Sequence, residues 1–266
     1  MIAIGERING MFRDVGKALR AKNAEVIQEL ALRQVQAGAD YLDVNVGPAA
    51  ADPVEAMAWL VETIRAVTPS PLAIDSTSAA AIRAGLEAGR GGRLMINSTT
   101  AERKKIEALF PLAAEFKCPI IGLTISENGV PRDAQGRLEV ALELVAACLE
   151  YGLSTDQLYL DPVILPVNAM QTVPSAVFET IGMVASLADP APQTVLGLSN
   201  VSQGTTQRPL LNRTCLVMAL AHGLDAAIVD VTDAALMEAA IAAEVLMNHQ
   251  VYCDDFVRAY LAGRGC

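Results

Sequence analysis

Eight short apolar runs recur along the chain, each with a polar residue at or near its C-terminal end and each followed by a longer stretch of helical spacing. The runs cover 2–6, 41–46, 71–75, 94–97, 119–125, 158–165, 194–200 and 226–231; the helical stretches cover 23–39, 53–67, 79–88, 101–116, 137–151, 171–187, 211–223 and 233–262. Continuous apolar runs of this length are strands buried on both faces, and strands alternating with helices pair in parallel through right-handed crossovers. Eight such units within 266 residues, with no break in composition to mark a linker, predict a single (β/α)8 TIM barrel over 1–266 rather than an open doubly wound sheet. Several helix starts carry their own punctuation. Asp52, Pro53 and Glu55 supply a cap, a first-turn proline and an acidic partner, and Thr99 with Glu102 predicts a second capping box. A helix already capped leaves the polar residue upstream of it free for other work.

In a barrel the C-terminal ends of the strands converge on one mouth, where polar side chains meet ligands. The residues placed there are Glu6, Asp43 with Asn45, Asp75, Asn97, Thr124, Asp161, Ser199 with Asn200, and Asp230. These are mostly carboxylates and carboxamides. Lys17, Lys22, Lys104, Lys105 and Lys117 all fall in or beside helices, so no strand-end lysine is available for a Schiff base. His222 and His249 sit on the last two helices, which leaves the mouth without a histidine base or a histidine metal set. Cys118, Cys148, Cys215, Cys253 and Cys266 are odd in number, lack metal-ligand spacing and end no strand, so they read as buried thiols. No bound metal of the chain's own is expected. The loops after the seventh and eighth runs lack the glycine-rich nest that a phosphate requires.

A ring of Asp and Asn suits a planar heterocycle rich in N–H donors. A carboxylate accepts two hydrogen bonds side by side, and an amide both donates and accepts, which matches a 2-amino-4-oxopyrimidine edge. The same oxygens suit Mg²⁺ less naturally because so many are amides. Structural roles compete at several positions: Asp43 and Asn45 as mutual partners, Glu6 and Arg7 as an ion pair, Asp161 as a turn former before Pro162, and Asp230 as a support. The net charge of −10, without any basic run, gives no footprint for nucleic acid or an anionic membrane. No signal segment opens the chain and no stretch is apolar for long enough to span a bilayer, which predicts a cytoplasmic protein.

Six segments in order carry a resemblance: GERIN at 5–9, LDVNVGP at 42–48, IDST at 74–77, INST at 96–99, DPVILP at 161–166 and GLSNVSQ at 197–203. Together they resemble the pterin-binding barrel family, and within it the methyltetrahydrofolate:corrinoid/iron–sulfur protein methyltransferases, over essentially the whole chain. The resemblance implies a homodimeric barrel that binds 5-methyltetrahydrofolate through residues matching Asp75, Asn97, Asp161 and Asn200. It implies that the methyl group passes from N5 to Co(I) of a corrinoid, supplied by a corrinoid/iron–sulfur protein partner. Because cobalt is then the nucleophile, the enzyme needs no Cys, Lys or Ser of its own. Asn200 cannot titrate near neutral pH, so its expected catalytic role is a hydrogen bond to N5 that strengthens as charge develops there. Ser199, Glu6, Asn9 and Asp43 are further expected substrate contacts. Gln203 and Arg208 are expected at the substrate's tail or the partner, with Ile164, Leu165 and Pro166 adding apolar docking surface. A dihydropteroate synthase would carry a basic residue where this chain has Asn200. A folate methyltransferase serving another corrinoid system, or a folate-binding module without catalysis, shares nearly all of these residues.

Overall fold

Each of the eight apolar runs forms a strand in the computed structural model, which describes residues 1–250. The strands are β1 (Ile2–Asn9), β2 (Tyr41–Asn45), β3 (Leu72–Asp75), β4 (Leu94–Thr100), β5 (Ile120–Leu123), β6 (Leu158–Asp161), β7 (Gln193–Gly197) and β8 (Ala226–Val229). All pairings are parallel and follow chain order, and β8 pairs with β1 to close the barrel. The helices are α1 (Arg13–Ala21), α2 (Ala24–Gln36), α3 (Pro53–Arg65), α4 (Ala79–Ala88), α5 (Arg103–Phe116), α6 (Ala134–Glu150), α7 (Val173–Val184), α8 (Arg208–Ala221) and α9 (Ala234–Leu246). The predicted last helix extended to 262; its part from 251 onward, with Cys253 and Cys266, lies outside the described residues. No helix among the described residues is long and apolar enough to cross a membrane.

The differences from expectation lie at element ends. Helix α1 was not anticipated, because Phe12 gives it no side-chain cap and Gly16 interrupts its short apolar face. Strand β6 stops before Pro162, which has no N–H to continue a ladder. Strand β7 stops at Gly197, and Leu198–Ser202 winds into a 3₁₀ turn, so Ser199 and Asn200 sit beyond the strand rather than on it. The Thr99–Glu102 capping box does not form. Strand β4 runs through both threonines to Thr100, where Glu102 N donates to Thr100 Oγ1 and Thr99 Oγ1 donates to Thr100 O. At α3 the expected cap is present, with Asp52 Oδ1 accepting from Val54 N and Glu55 N, while the Glu55 carboxylate pairs with Lys22. Ser78 caps α4 and thereby leaves Asp75 unencumbered.

Ile4, Tyr41, Ala73, Met95, Ile121, Tyr159, Val195 and Ala226 pack as one cluster inside the barrel. Side chains alternate faces along a strand, so the residue two positions on faces the same interior one level nearer the mouth. That rule selects Glu6, Asp43, Asp75, Asn97, Leu123, Asp161, Gly197 and Ile228. The apolar plug therefore changes within one level to a predominantly polar layer. Register sharpens the layer: Asn45 lies opposite Asp75, which lies opposite Asn97. The other strand face packs its Leu42, Val44, Leu72, Ile74 and Ile96 against the surrounding helices.

Candidate active site

Above the polar layer lies a cavity of about 470 Å³ at the C-terminal mouth. Of the residues expected there, Glu6, Asn9, Asp43, Asp75, Asn97, Ser199, Asn200 and Arg208 line it. Asn45, which lines a neighbouring cavity, Thr124, which is buried, Asp161 and Gln203 do not. Asp161 is buried at its edge and accepts from Gly197 N, a lining residue, at 3.2 Å. Gln203 is exposed outside the lining, carried away by the turn that follows Ser202.

The polar layer is oriented by bonds that leave little rotamer freedom. Asn45 Oδ1 accepts from Gly47 N at 2.6 Å, which turns its amide so that Nδ2 donates to Asp75 Oδ2 at 2.6 Å. Gly47 sits at φ +55, and a Cβ on the facing Gly10 would come within 2.0 Å of Val46 O. Only glycine allows that crossing of the two loops, and the crossing supplies the N–H that orients Asn45. Asn97 Nδ2 donates to Asp43 Oδ1 at 2.9 Å, so the expected Asp43–Asn45 partnership is replaced by two bonds between strands. Asn9 Oδ1 accepts from Met11 N at 2.9 Å. Ser199 Oγ donates to Glu6 Oε1 at 2.7 Å, and Arg208 donates to Ser202 Oγ and Ser199 O, tying the loop after β7 over its own 3₁₀ turn. Asn200 makes no side-chain hydrogen bond with the described residues, and its Nδ2 is 3.3 Å from where a Cβ on Gly197 would stand.

Burial raises the carboxyl pKa values of the layer. Asp43 is held well above the usual carboxylate range by desolvation and by the neighbouring charge of Asp75, against the lowering bond from Asn97. Asp75 is pushed up to about 6 by desolvation, which outweighs its bonds from Asn45 and Asp43. Asp161 is also pushed up to about 6 by desolvation, against two backbone donors. Glu6 is raised by burial, opposed by its bond from Ser199. Asp43 is therefore reluctant to ionise beside Asp75, whereas Asp75 and Asp161, near 6, are ionised acceptors at neutral pH.

Arg7, Asn212 and Asp230 also line the cavity. Arg7 pairs with Asp14 at 2.6 Å and stacks 4.2 Å over Phe12, so it does not form the expected pair with Glu6; its Nη1 is buried without a partner. Asn212, one helical turn beyond Arg208 on α8, also lines the cavity and has a buried, unpartnered Oδ1. The i, i+4 spacing from Arg208 was its available signal. Asp230 lines the cavity while accepting from Thr232 N and Oγ1, a mixture of support and exposure. A second cavity of about 440 Å³ adjoins the first on the other side of Asp75, between the loops after β2 and β3. Ile164 is buried, which corrects its expected place on a docking face; the exposed apolar side chains around the mouth are Met11, Phe12, Met170 and Leu210.

No lysine, histidine or cysteine lines the mouth cavity among the described residues. Cys118, Cys148 and Cys215 are buried, and desolvation pushes their thiols to about 12, 11 and 12. Among the described residues no three His, Cys, Asp or Glu side chains are grouped to hold a metal ion.

The family described as "Pterin binding enzyme" matches residues 10–230. A methylcorrinoid:tetrahydrofolate methyltransferase of Eubacterium limosum is 26% identical over 268 residues, covering 99% of this chain and 97% of that protein. A methionine synthase of Mycobacterium tuberculosis is 31% identical over 241 residues, which is 86% of this chain but 20% of that much longer protein. Among solved structures, a dihydropteroate synthase of Coxiella burnetii in complex with pteroic acid superposes with a TM-score of 0.64 at 16% identity, over 93% of this chain and 94% of that one. At that identity the likeness is one of fold.

Proposed function

This chain belongs to the pterin-binding enzymes, and on that premise we propose that it transfers a methyl group between N5 of tetrahydrofolate and the cobalt of a corrinoid. The observation that carries the proposal is the mouth cavity itself. It offers acceptors and amides to a pterin, yet its lining contains no lysine, histidine or cysteine among the described residues, so the nucleophile has to arrive with a second substrate. The Eubacterium limosum relative is named for methyl transfer between a methylcorrinoid and tetrahydrofolate.

In the proposed direction, 5-methyltetrahydrofolate lies with its pyrimidine edge on Asp75 and Asp161 and its ring against Asn97. Co(I), carried on a corrinoid/iron–sulfur protein, gives an electron pair to the methyl carbon. The N5–carbon bond breaks, its electron pair stays on nitrogen, and N5 ends with a proton as tetrahydrofolate. A tertiary amine leaves poorly without such assistance, and acid help of this type contributes ~10²–10⁴ in rate. Asn200 has no competing side-chain partner among the described residues and is assigned the bond to N5. The proton comes from water or from a neighbouring carboxyl. Glu6, Ser199, Asn9 and Asp43 frame the site, and Arg208 meets the benzoylglutamate tail or the partner. Met11, Phe12, Met170 and Leu210 present apolar surface where a corrinoid protein would approach.

The name of the relative that matches end to end puts the methyl group on the corrinoid first, which favours the opposite direction as a second reading. There the N5 lone pair attacks the methyl group on cobalt, Co(I) departs with the electrons of the cobalt–carbon bond, and the N5 proton passes to water or a neighbouring carboxylate, with the same residues serving both ways. Mixing the protein with 5-methyltetrahydrofolate and free cobalamin reduced to Co(I), and in parallel tetrahydrofolate with methylcobalamin, tests both readings. Accelerated formation or loss of the methyl–cobalt spectrum supports the proposal. Pterin binding without acceleration in either direction defeats it in favour of a binding module.

A further inference from the structure

Arg137, on α6, is fully buried and forms no ion pair with any described carboxylate. Burying a guanidinium is costly unless its donors are well used, and an apolar side chain of similar volume would fill the space more cheaply. Its Nε donates to Pro162 O at 2.8 Å and its Nη1 to Asp133 O at 3.2 Å, while Nη2 has no partner among the described residues.

The carbonyl that Arg137 holds belongs to the same peptide unit as Val163 N–H, and that N–H donates to Asp161 Oδ1 at 2.7 Å. One peptide plane is therefore clamped at both ends, by the guanidinium on its oxygen and by the carboxylate on its nitrogen. The clamp holds an unfavourable conformation. Val163 has φ +61, a left-handed setting that disfavours β-branched side chains. Rotating this peptide would relieve Val163, but it would replace the N–H facing Asp161 with a carbonyl oxygen. Asp161 Oδ2 would still accept from Gly197 N, although the carboxylate would lose its fixed plane and half of its donors.

We infer that Arg137 is a positioning residue for Asp161: it holds the Pro162–Val163 peptide in its strained orientation, so that Asp161 stays ionised and aligned for the N–H donors of the pterin. The inference rests on the proposed placement of the pyrimidine edge on Asp161. A role in packing alone would lower thermal stability without touching ligand affinity or its pH dependence.

The test is calorimetric titration of the full chain with 5-methyltetrahydrofolate between pH 5 and 8, for the parent, Asp161→Ala, Arg137→Met, Arg137→Lys and Arg137→Met/Val163→Gly. Arg137→Met is expected to weaken binding roughly ten- to a hundredfold, the scale of a charged hydrogen bond. It also moves the pH at which binding is lost upward. Glycine at 163 removes the strain that drives the rotation and restores much of the affinity. Arg137→Lys, which keeps a cationic donor for Pro162 O, gives intermediate affinity and stands in if the methionine variant does not fold. Weaker binding by Asp161→Ala together with unchanged affinity and pH midpoint in folded Arg137→Met, or in Arg137→Lys where that variant stands in, overturns the inference alone. If Asp161→Ala binds like the parent, the placement of the pterin is wrong and the inference falls with it.

Discussion

Asn45 Nδ2 donates to Asp75 Oδ2 at 2.6 Å from the adjacent strand, while the carboxyl of Asp43, itself raised by burial, faces the same group. Asp75 is thus an ionisable group with two hydrogen-bonding neighbours, and burial still holds its pKa near 6. A carboxyl whose folded pKa is raised favours the fold in acid and weighs against it as pH rises through that value.

Replacing Asp75 with Asn follows from this sign. The amide oxygen takes the bond from Asn45, the amide nitrogen can donate to the Asp43 carboxyl, and the cost of keeping Asp75 charged disappears. Asp75→Asn is expected to be at least as stable as the parent at pH 7.5, with a gain on the order of 1–3 kcal/mol at ~1.4 kcal/mol per pKa unit. Its affinity for 5-methyltetrahydrofolate is expected to fall at least tenfold, because a donor then faces the pterin's own donors. Thermal unfolding and calorimetric titration read the two effects separately. A large loss of stability with ligand affinity intact would show that Asp75 is structural.

Asn200 separates binding from turnover. Because its side chain has no partner among the described residues, Asn200→Ala leaves no buried group orphaned there, and the fold is expected to be unchanged. A bond that strengthens only as charge reaches N5 lowers kcat by roughly a hundredfold when removed, while ligand affinity changes by less than about fivefold. Gly197→Ala supplies a graded version. At φ −72 the backbone accepts alanine, but the new Cβ would stand 3.3 Å from Asn200 Nδ2 and 3.8 Å from Asp161 Oδ2. It is expected to lower kcat several-fold and to add little in the Asn200→Ala background, as for two residues acting on one contact. Equal losses of affinity and turnover in Asn200→Ala would remove its special role.

The barrel was legible because its signal is periodic. Eight apolar runs and their alternation placed every strand, and the polar residues near the strand ends mark the mouth. What escaped lies where the backbone leaves its ladder. The 3₁₀ turn that carries Ser199 and Asn200 is set by Gly197 and by packing of the loop after β6 against that after β7, where Val167 N donates to Val201 O at 2.9 Å. Side-chain pairing also stayed hidden, since it depends on which residues share a level across strands. Asp43 and Asn45 are neighbours in sequence, yet each bonds to a residue of another strand. Arg137 resembles any helix arginine until its carbonyl partner on Pro162 is visible.

Arg208 distinguishes tail from ring. Two of its donors are committed to Ser202 and Ser199, and it still lines the cavity beside Glu6 and Asn212. If it meets the benzoylglutamate tail, Arg208→Ala weakens 5-methyltetrahydrofolate about tenfold and leaves a tailless reduced pterin unaffected. Competition titrations with the two ligands measure the difference. An equal loss for both would place its effect in the loop after β7 instead.

The pH dependence of binding follows from Asp75 and Asp161 together, both near 6 by burial. Each has to be ionised to accept the paired N–H donors of a pyrimidine edge, so binding releases whatever protons they carry. Above pH 7 both are charged and affinity is level. As pH falls through about 6, each protonation competes with the ligand, and affinity should drop tenfold per pH unit for one group and approach a hundredfold for both. Of these two acceptors Asp75→Asn leaves only Asp161 to titrate, and the slope below pH 6 should approach one. Calorimetry in buffers of different ionisation enthalpy measures the same linkage as protons released near pH 6. A flat affinity from pH 5 to 8 would mean that neither carboxylate receives the pterin's donors.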